Sequence, residues 1–204
     1  MLLSLTGASG TGKSTVLAAL GLVDWGRPVV CIEFDSIGVP AGADTAWRHE
    51  AIEHWVRFAA DAQNDGKDVL LCGQVPPGEL LAAPSADQLN GLGICVLHCS
   101  PAVQESRLVG RGEPAEGLIH PLRFGEWFVK HARDPTHAPE VIRVSSTVPM
   151  AWERWEHWES GDPRWSARIV ETDLLSPEEV AGKVEHWARG ELARHAQEME
   201  SNAS

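Results

Sequence analysis

The stretch Gly7-Ala8-Ser9-Gly10-Thr11-Gly12-Lys13-Ser14 decides the fold of this 204-residue chain. It matches the pattern G-x-x-x-x-G-K-[ST], follows the apolar run Leu2–Leu5 and opens a segment with helical spacing. Its glycines allow backbone N–H groups to turn inward around a β-phosphate, and the start of the following helix adds positive potential. Lys13 would reach the β and γ oxygens, while Ser14 would offer a hydroxyl to Mg²⁺. Residues 7–14 and the adjoining Thr15 are therefore predicted to bind a purine nucleoside triphosphate with Mg²⁺.

Four further apolar runs follow, each separated from the next by a longer segment with helical spacing. They are Val29–Phe34, Val69–Cys72, Ile94–Leu97 and Arg168–Val170. Strands that alternate with helices predict a three-layer α/β domain built on a five-stranded parallel sheet, and the length fits a single domain over residues 1–204. Asp44 is predicted to cap a long helix with an apolar stripe from Trp47 to Ala62, and Ser176 to cap a C-terminal helix.

The segment from residue 110 to residue 165 breaks this alternation, because glycine and proline interrupt it repeatedly. We expect it to form a helical lid or insertion over one end of the sheet. Near its end, Trp152, Trp155 and Trp158 recur at three-residue intervals on a predicted helix over Thr147–Trp158. This stripe has two interpretations, which are packing of the insertion onto the core and an aromatic wall for a bound small molecule.

The charge of the chain restricts its partners. Its 29 acidic and 17 basic side chains give a formal net charge of −12, which repels phosphate backbones and anionic lipid. We therefore expect a small-molecule partner, no nucleic acid and no membrane. No signal peptide or membrane span is predicted, and the four cysteines lie mostly in apolar runs. These features predict a reduced, cytoplasmic protein that is a monomer or a homodimer.

Two carboxylates stand at the end of the second apolar run. Glu33 and Asp35 share one face by the two-residue period of a strand, at the sheet edge where ligands of open α/β sheets bind. The third run ends in Gly73-Gln74 and lacks the strand-end aspartate that is usual in switch GTPases. A carboxylate beside a γ-phosphate can accept the proton of an attacking hydroxyl or hold the metal, and Asp35 is the candidate for both tasks. The competing interpretation is an ordinary acid that caps the next turn.

Two further segments complete a resemblance to a known group of proteins. Glu105–Arg111 looks like the R-x-x-x-R opening of the adenylate kinase lid, and Thr172-Asp173 looks like the last-strand turn that borders the base. With Gly7–Ser14 and the strand-end carboxylates, the chain resembles the P-loop small-molecule and nucleoside or nucleotide kinases, which include shikimate, gluconate and adenylate kinases and chloramphenicol phosphotransferase. The resemblance implies a P-loop NTPase fold with strand order 2-3-1-4-5, and ATP with Mg²⁺ as cofactors.

The resemblance also implies roles for individual residues. Arg107 would stack on the adenine and Arg111 would reach the transferring phosphoryl group, and their four-residue spacing places both on one helix face. Arg48 lies where relatives place acceptor-binding residues, and Glu33 and Gln74 are expected beside the same acceptor. For the three arginines the alternative is a solvated position on a helix.

The chemistry of the acceptor decides between activities. A nucleoside monophosphate kinase passes phosphate to an acceptor that is already ionised, whereas a hydroxyl acceptor benefits from a base. Glu33-x-Asp35 therefore favours ATP- and Mg²⁺-dependent phosphoryl transfer to a hydroxyl of a nucleoside, a sugar acid or a natural product such as an antibiotic. Two alternatives stay open, which are a nucleoside monophosphate kinase and a nucleotide-gated regulatory protein.

Overall fold

Five parallel strands form the centre of the computed structural model, which describes residues 1–202. The strands are β1 Leu2–Thr6, β2 Val29–Glu33, β3 Asp68–Gly73, β4 Leu92–His98 and β5 Arg168–Glu171. They pair in the order β2-β3-β1-β4-β5, with β1 between β3 and β4 and every pairing parallel. The predicted fold class, strand order and five strand positions are confirmed.

The α-helices cover both faces of this sheet. They are α1 Lys13–Leu20, α2 Thr45–Asn64, α3 Pro77–Ala82, α4 Pro101–Gly110, α5 Ile119–Arg133 and α6 Pro177–Asn202. Side chains alternate along each strand, so Leu2 and Leu71 pack with α2, α3 and α5, whereas Leu3 and Leu70 pack with α1 and α6. No helix within residues 1–202 is long and apolar enough to cross a membrane.

The two predicted helix starts are confirmed. The Asp44 carboxylate accepts a 2.9 Å hydrogen bond from the backbone N–H of Trp47 at the start of α2. At the start of α6, Glu179 N–H donates to Ser176 Oγ, and Ser176 N–H donates to the Glu179 carboxylate. Both arrangements satisfy N–H groups that have no partner within the first turn of a helix, which is why the sequence signals were readable.

The predicted helix over Thr147–Trp158 is wrong, since the segment forms only a short 3₁₀ turn at Trp152–Arg154. Its polar groups bond instead to the end of α3. Ala151 N–H donates to Ala82 O, and the Arg154 guanidinium donates to the carbonyls of Leu81, Ala83 and Pro84. These long-range bonds hold the backbone in turns. Tryptophans spaced three residues apart are compatible with such turns as well as with a helix.

The tryptophans of this segment pack on the core, as the first of the two interpretations requires. Trp155 is fully buried and its indole N–H donates to Gly78 O at 2.9 Å. Trp152 and Trp158 pack against the same cluster of buried side chains. The stripe therefore attaches the segment to the sheet face covered by α2, α3 and α5.

Much of the segment 110–165 is also core. The α5 helix packs against β4 and α3 and buries Trp127, Phe128 and Ala132. Residues 111–114, between α4 and α5, are exposed. A lid that closes over a ligand stays a prediction. The part of the segment that could close is residues 111–114, because a movement of α5 would expose the aromatic side chains that this helix buries.

Candidate active site

The glycine-rich stretch forms the loop between β1 and α1, and all three of its glycines, Gly7, Gly10 and Gly12, have positive φ. Gly7 has φ +142°, and a Cβ there would lie 2.3 Å from Leu97 O. Gly12 has φ +98° and caps the N-terminus of α1. Side chains are strained at such angles and cannot approach a neighbouring strand so closely. The loop therefore presents its backbone, with the positive end of α1, at the carboxyl edge of the sheet.

Lys13 folds back over this loop. Its Nζ donates to Ala8 O at 2.8 Å. The pKa of Lys13 is lowered from 10.5 to about 8, mainly by burial and also by the nearby Arg111, while Cys72 and Asp35 act in the opposite direction. An ammonium with a lowered pKa is a charge that lacks sufficient stabilisation from its surroundings. An anionic ligand in the loop would supply that stabilisation.

Ser14 faces a carboxylate at the end of β2. Its Oγ donates to Glu33 Oε1 at 3.1 Å, and both side chains are exposed to the cleft. Hydroxyl and carboxylate oxygens are the ligands that Mg²⁺ takes, so the pair fits a divalent cation. The sequence predicted Ser14 and Asp35 as the metal residues and Glu33 as an acceptor residue. The structure instead brings Glu33 to Ser14, and Asp35 lies two residues further on, in the 3₁₀ turn Phe34–Ile37.

The predicted catalytic and acceptor residues lie together in one cleft of about 530 Å³. Lys13, Ser14 and Arg111 line it from the loop side, and Glu33, Asp35 and Gln74 line it from the strand ends. Gln74 Oε1 accepts a 3.4 Å hydrogen bond from Ser9 Oγ, which ties the end of β3 to the loop. The remaining lining residues are Ser9, Gly10, Gly12, Phe34, Ala43, Asp44, Thr45, Trp47, Arg48, Cys72 and Gly73.

A second cleft, of about 380 Å³, opens on the other side of the loop. It shares Gly10, Gly12 and Arg111 with the first cleft, and Thr11 and Thr15 line it. Its other walls are largely apolar, from Val16, Leu175, Pro177 and Val180. A flat apolar wall on one side of a phosphate loop suits a nucleotide base.

Arg107 is fixed in the wall of this second cleft. Its guanidinium donates to Thr172 Oγ1 at 2.9 Å and to Thr172 O at 3.0 Å, and a longer bond of 3.4 Å reaches Gly10 O. These bonds hold the guanidinium as a fixed plane, which is what stacking on a base requires. Arg111, at the C-terminus of α4, lines both clefts and is exposed.

The loop is further held by residues that the sequence analysis missed. Gln104 Nε2 donates to Ser9 O at 2.9 Å, and Thr6 Oγ1 donates to Val75 O at 2.8 Å while accepting from Val75 N–H. Gly7 and Ala8 form the buried first part of the loop, and Ala8 O accepts from both Lys13 and Thr11. The burial of Gln104 is seen only in the structure, and the sequence around it gave no signal for this contact.

Arg48 has a partner that the sequence did not reveal. Its Nε and Nη2 donate to the two carboxylate oxygens of Glu79, each at 2.6 Å. Glu79 is fully buried on α3, and Arg48 is 13% exposed. His49 Nε2 lies 3.3 Å from Glu79 Oε1, and Phe124 packs under the guanidinium. A lone acid in the apolar stretch of α3 was the only sequence signal for this pairing.

Comparison with known proteins agrees with this fold. No family model matches the chain, and no curated protein matches it. Solved structures do, and they include a sugar kinase from Janibacter sp. HTCC2649, with a TM-score of 0.52 and 16% identity, covering 92% of this chain and 93% of the other. A gluconokinase from Sinorhizobium meliloti 1021 gives a TM-score of 0.51 and 18% identity, with coverage of 99% and 97%.

A third similar structure is the YorR protein from Bacillus subtilis in complex with phosphorylated GDP, with a TM-score of 0.51 and 15% identity. It covers 96% of this chain and 98% of the other. At these identities the likeness concerns the fold. The chain has the fold of P-loop small-molecule kinases, with the two clefts described above on either side of its phosphate loop.

Proposed function

We propose that this protein is a phosphotransferase that moves the γ-phosphoryl group of ATP to a hydroxyl of a small molecule, with Mg²⁺. One observation carries the proposal. The cleft that contains Lys13 and Ser14 also contains the carboxylate of Asp35, and it shares Gly10, Gly12 and Arg111 with a second cleft walled by Arg107. Two substrates can therefore meet at the loop, with the adenine of ATP in the second cleft and the acceptor in the first. The similar sugar kinase and gluconokinase structures support the same class of reaction.

In the proposed step, the acceptor hydroxyl oxygen forms a bond to the γ-phosphorus while the bond from that phosphorus to the β–γ bridging oxygen breaks. Asp35 takes the hydroxyl proton, and ADP leaves with the bridging oxygen. Lys13 and Arg111 offset the charge on the phosphate oxygens, and this stabilisation grows as charge develops in the transition state. Closure of the exposed residues 111–114 would bring Arg111 nearer and exclude water.

Glu33 and Ser14 are the residues that would hold Mg²⁺, since their oxygens already lie together at the end of β2. When bound, the ion neutralises charge on the β and γ phosphates. This assignment moves the metal from Asp35 to Glu33 and leaves Asp35 for the proton. The sequence left both metal binding and proton acceptance open for Asp35, and this assignment gives the two roles to different residues.

The test is Asp35→Asn, which keeps the size and hydrogen bonding of the side chain and removes the proton acceptor. We expect kcat to fall roughly 10²–10⁴-fold with little change in KM, because the base acts in the transition state. Asp61→Asn, which removes an exposed carboxylate from α2, is the matched control and should leave kcat unchanged.

The readout is ADP release stimulated by an acceptor, over a panel of nucleosides, sugars, sugar acids and antibiotics. A drop of less than about tenfold in Asp35→Asn would refute the role of Asp35 as base. Acceptor-stimulated turnover that is confined to nucleoside monophosphates would replace the proposal with a nucleoside monophosphate kinase. ATP binding with no response to any small acceptor would favour the regulatory protein.

A further inference from the structure

The Arg48–Glu79 pair sets the charge of the acceptor side of the cleft. Two 2.6 Å bonds join the guanidinium to a carboxylate that is fully buried, in the bidentate geometry in which arginine binds an acid most strongly. The acceptor-binding cation expected from the sequence is therefore already neutralised by the protein itself. An anionic acceptor would have to displace Glu79, which has no route to solvent, or share the guanidinium with it.

The other charges around this part of the cleft are negative. Asp35 and Asp44 line it, and Asp44 is only partly offset by the start of α2, where it accepts from Trp47 N–H. Lys13 and Arg111 also line the cleft, but they lie at the phosphate loop, where the triphosphate would take up their charge. With nucleotide bound, the acceptor side therefore has a net negative charge.

We propose that the acceptor is an uncharged or cationic alcohol, and that Glu79 excludes carboxylate and phosphate acceptors by neutralising Arg48. This inference rests on the proposed function and narrows its substrate class. Negative side chains that line a cleft disfavour anionic ligands by like-charge repulsion. Trp47, which packs edge to face at 6.0 Å on the buried ring of Phe34, is half-buried on the same side and favours an acceptor with an apolar face.

Compounds that share one skeleton and differ in charge test this directly. Glucose, glucosamine and gluconate form one set, and adenosine with adenosine monophosphate forms another. Their binding to the protein saturated with ADP and Mg²⁺ is measured by ligand-observed NMR, and their turnover by ADP release. We expect the anionic member of each set to bind at least about tenfold more weakly than its uncharged partner.

The decisive variant is Glu79→Gln, which frees the Arg48 guanidinium and keeps the side-chain volume. It should strengthen gluconate or adenosine monophosphate binding at least about tenfold, since an unpaired cation then faces the cleft. Combining Glu79→Gln with Arg48→Gln removes the cation and should abolish the gain. Unchanged nucleotide affinity, which depends on the loop rather than on α3, shows that each variant is folded.

A second variant keeps the test open if Glu79→Gln does not fold. Asp35→Asn removes a negative charge from an exposed side chain, and it should reduce discrimination against the anionic compounds at least about threefold. Wild-type protein that binds the anionic members as tightly as the uncharged ones overturns the inference, as does a folded Glu79→Gln without a gain. A charge preference in binding, with no ADP release from any compound of the wider acceptor panel, would refute the proposed function and leave the charge preference of the cleft standing.

Discussion

The lowered pKa of Lys13 predicts that nucleotide affinity falls as pH rises above neutrality. For a pKa of about 8, about 91% of the free protein carries a charged Lys13 at pH 7 and about 9% at pH 9. A bound triphosphate stabilises the ammonium and raises its pKa, so binding requires the protonated form. Affinity should therefore weaken about tenfold between pH 7 and pH 9, with the loss beginning near pH 8.

Calorimetry checks this by counting protons. Titrations of nucleotide with Mg²⁺, in buffers of different ionisation enthalpy, should show uptake of about 0.1 proton at pH 7, about 0.5 at pH 8 and about 0.9 at pH 9. The thiol of Cys72 does not interfere, because burial raises its pKa to about 12. Lys13→Arg holds its charge across this range and should flatten the profile. An affinity that stays within about twofold from pH 7 to pH 9, with no proton uptake, would refute the reasoning.

Three further substitutions probe the second cleft and the core. Arg107→Ala should raise the KM for nucleotide about tenfold with kcat little changed, because stacking acts equally in the ground state and the transition state. Arg111→Ala should lower kcat at least about tenfold, and steady-state kinetics separates the two effects. Burial among Trp127, Trp155 and Trp165 lowers the pKa of His131 from 6.5 to about 4, so stability should fall by about 2 kcal/mol from pH 7 to pH 5 as the unfolded chain takes up a proton. His131→Phe should remove that loss in urea unfolding at the two pH values.

The conformation of the glycine-rich loop could be predicted from the sequence because its signals are local. The loop needs glycine where φ is positive, as at Gly12, and the strand before it and the helix after it are contiguous with the motif. Arg107 and Arg111 were found by a four-residue spacing on one helix, although the resemblance supplied their roles. The resemblance indicated Thr172 only as part of a turn beside a bound base, and the hydrogen bonds between Arg107 and Thr172 were not predicted.

The Trp segment shows where local periodicity is insufficient. An interval of three residues is compatible with a helix and with a series of turns. Local patterns in the sequence cannot predict the bonds that Arg154 makes to the end of α3. Those bonds join residues about seventy positions apart. Trp155 is buried against Gly78, where a Cβ would lie 2.7 Å from the indole. This contact likewise depends on the long-range packing of the segment on α3.

The acceptor side was the least predictable part, and the reason lies in how it is built. Arg48 and Glu79 are 31 residues apart on α2 and α3. The lone acid in the apolar stretch of α3 signals that Glu79 needs a partner, but nothing in the sequence indicates that the partner is Arg48. Their contact uses side chains alone, so it can change without altering the phosphate loop or the strand order. On the proposed function, chains that share this fold can therefore differ in the charge of the acceptor they accept. The glycine-rich motif would then indicate the phosphate donor, whereas the pairing of Arg48 would restrict which acceptors can approach it.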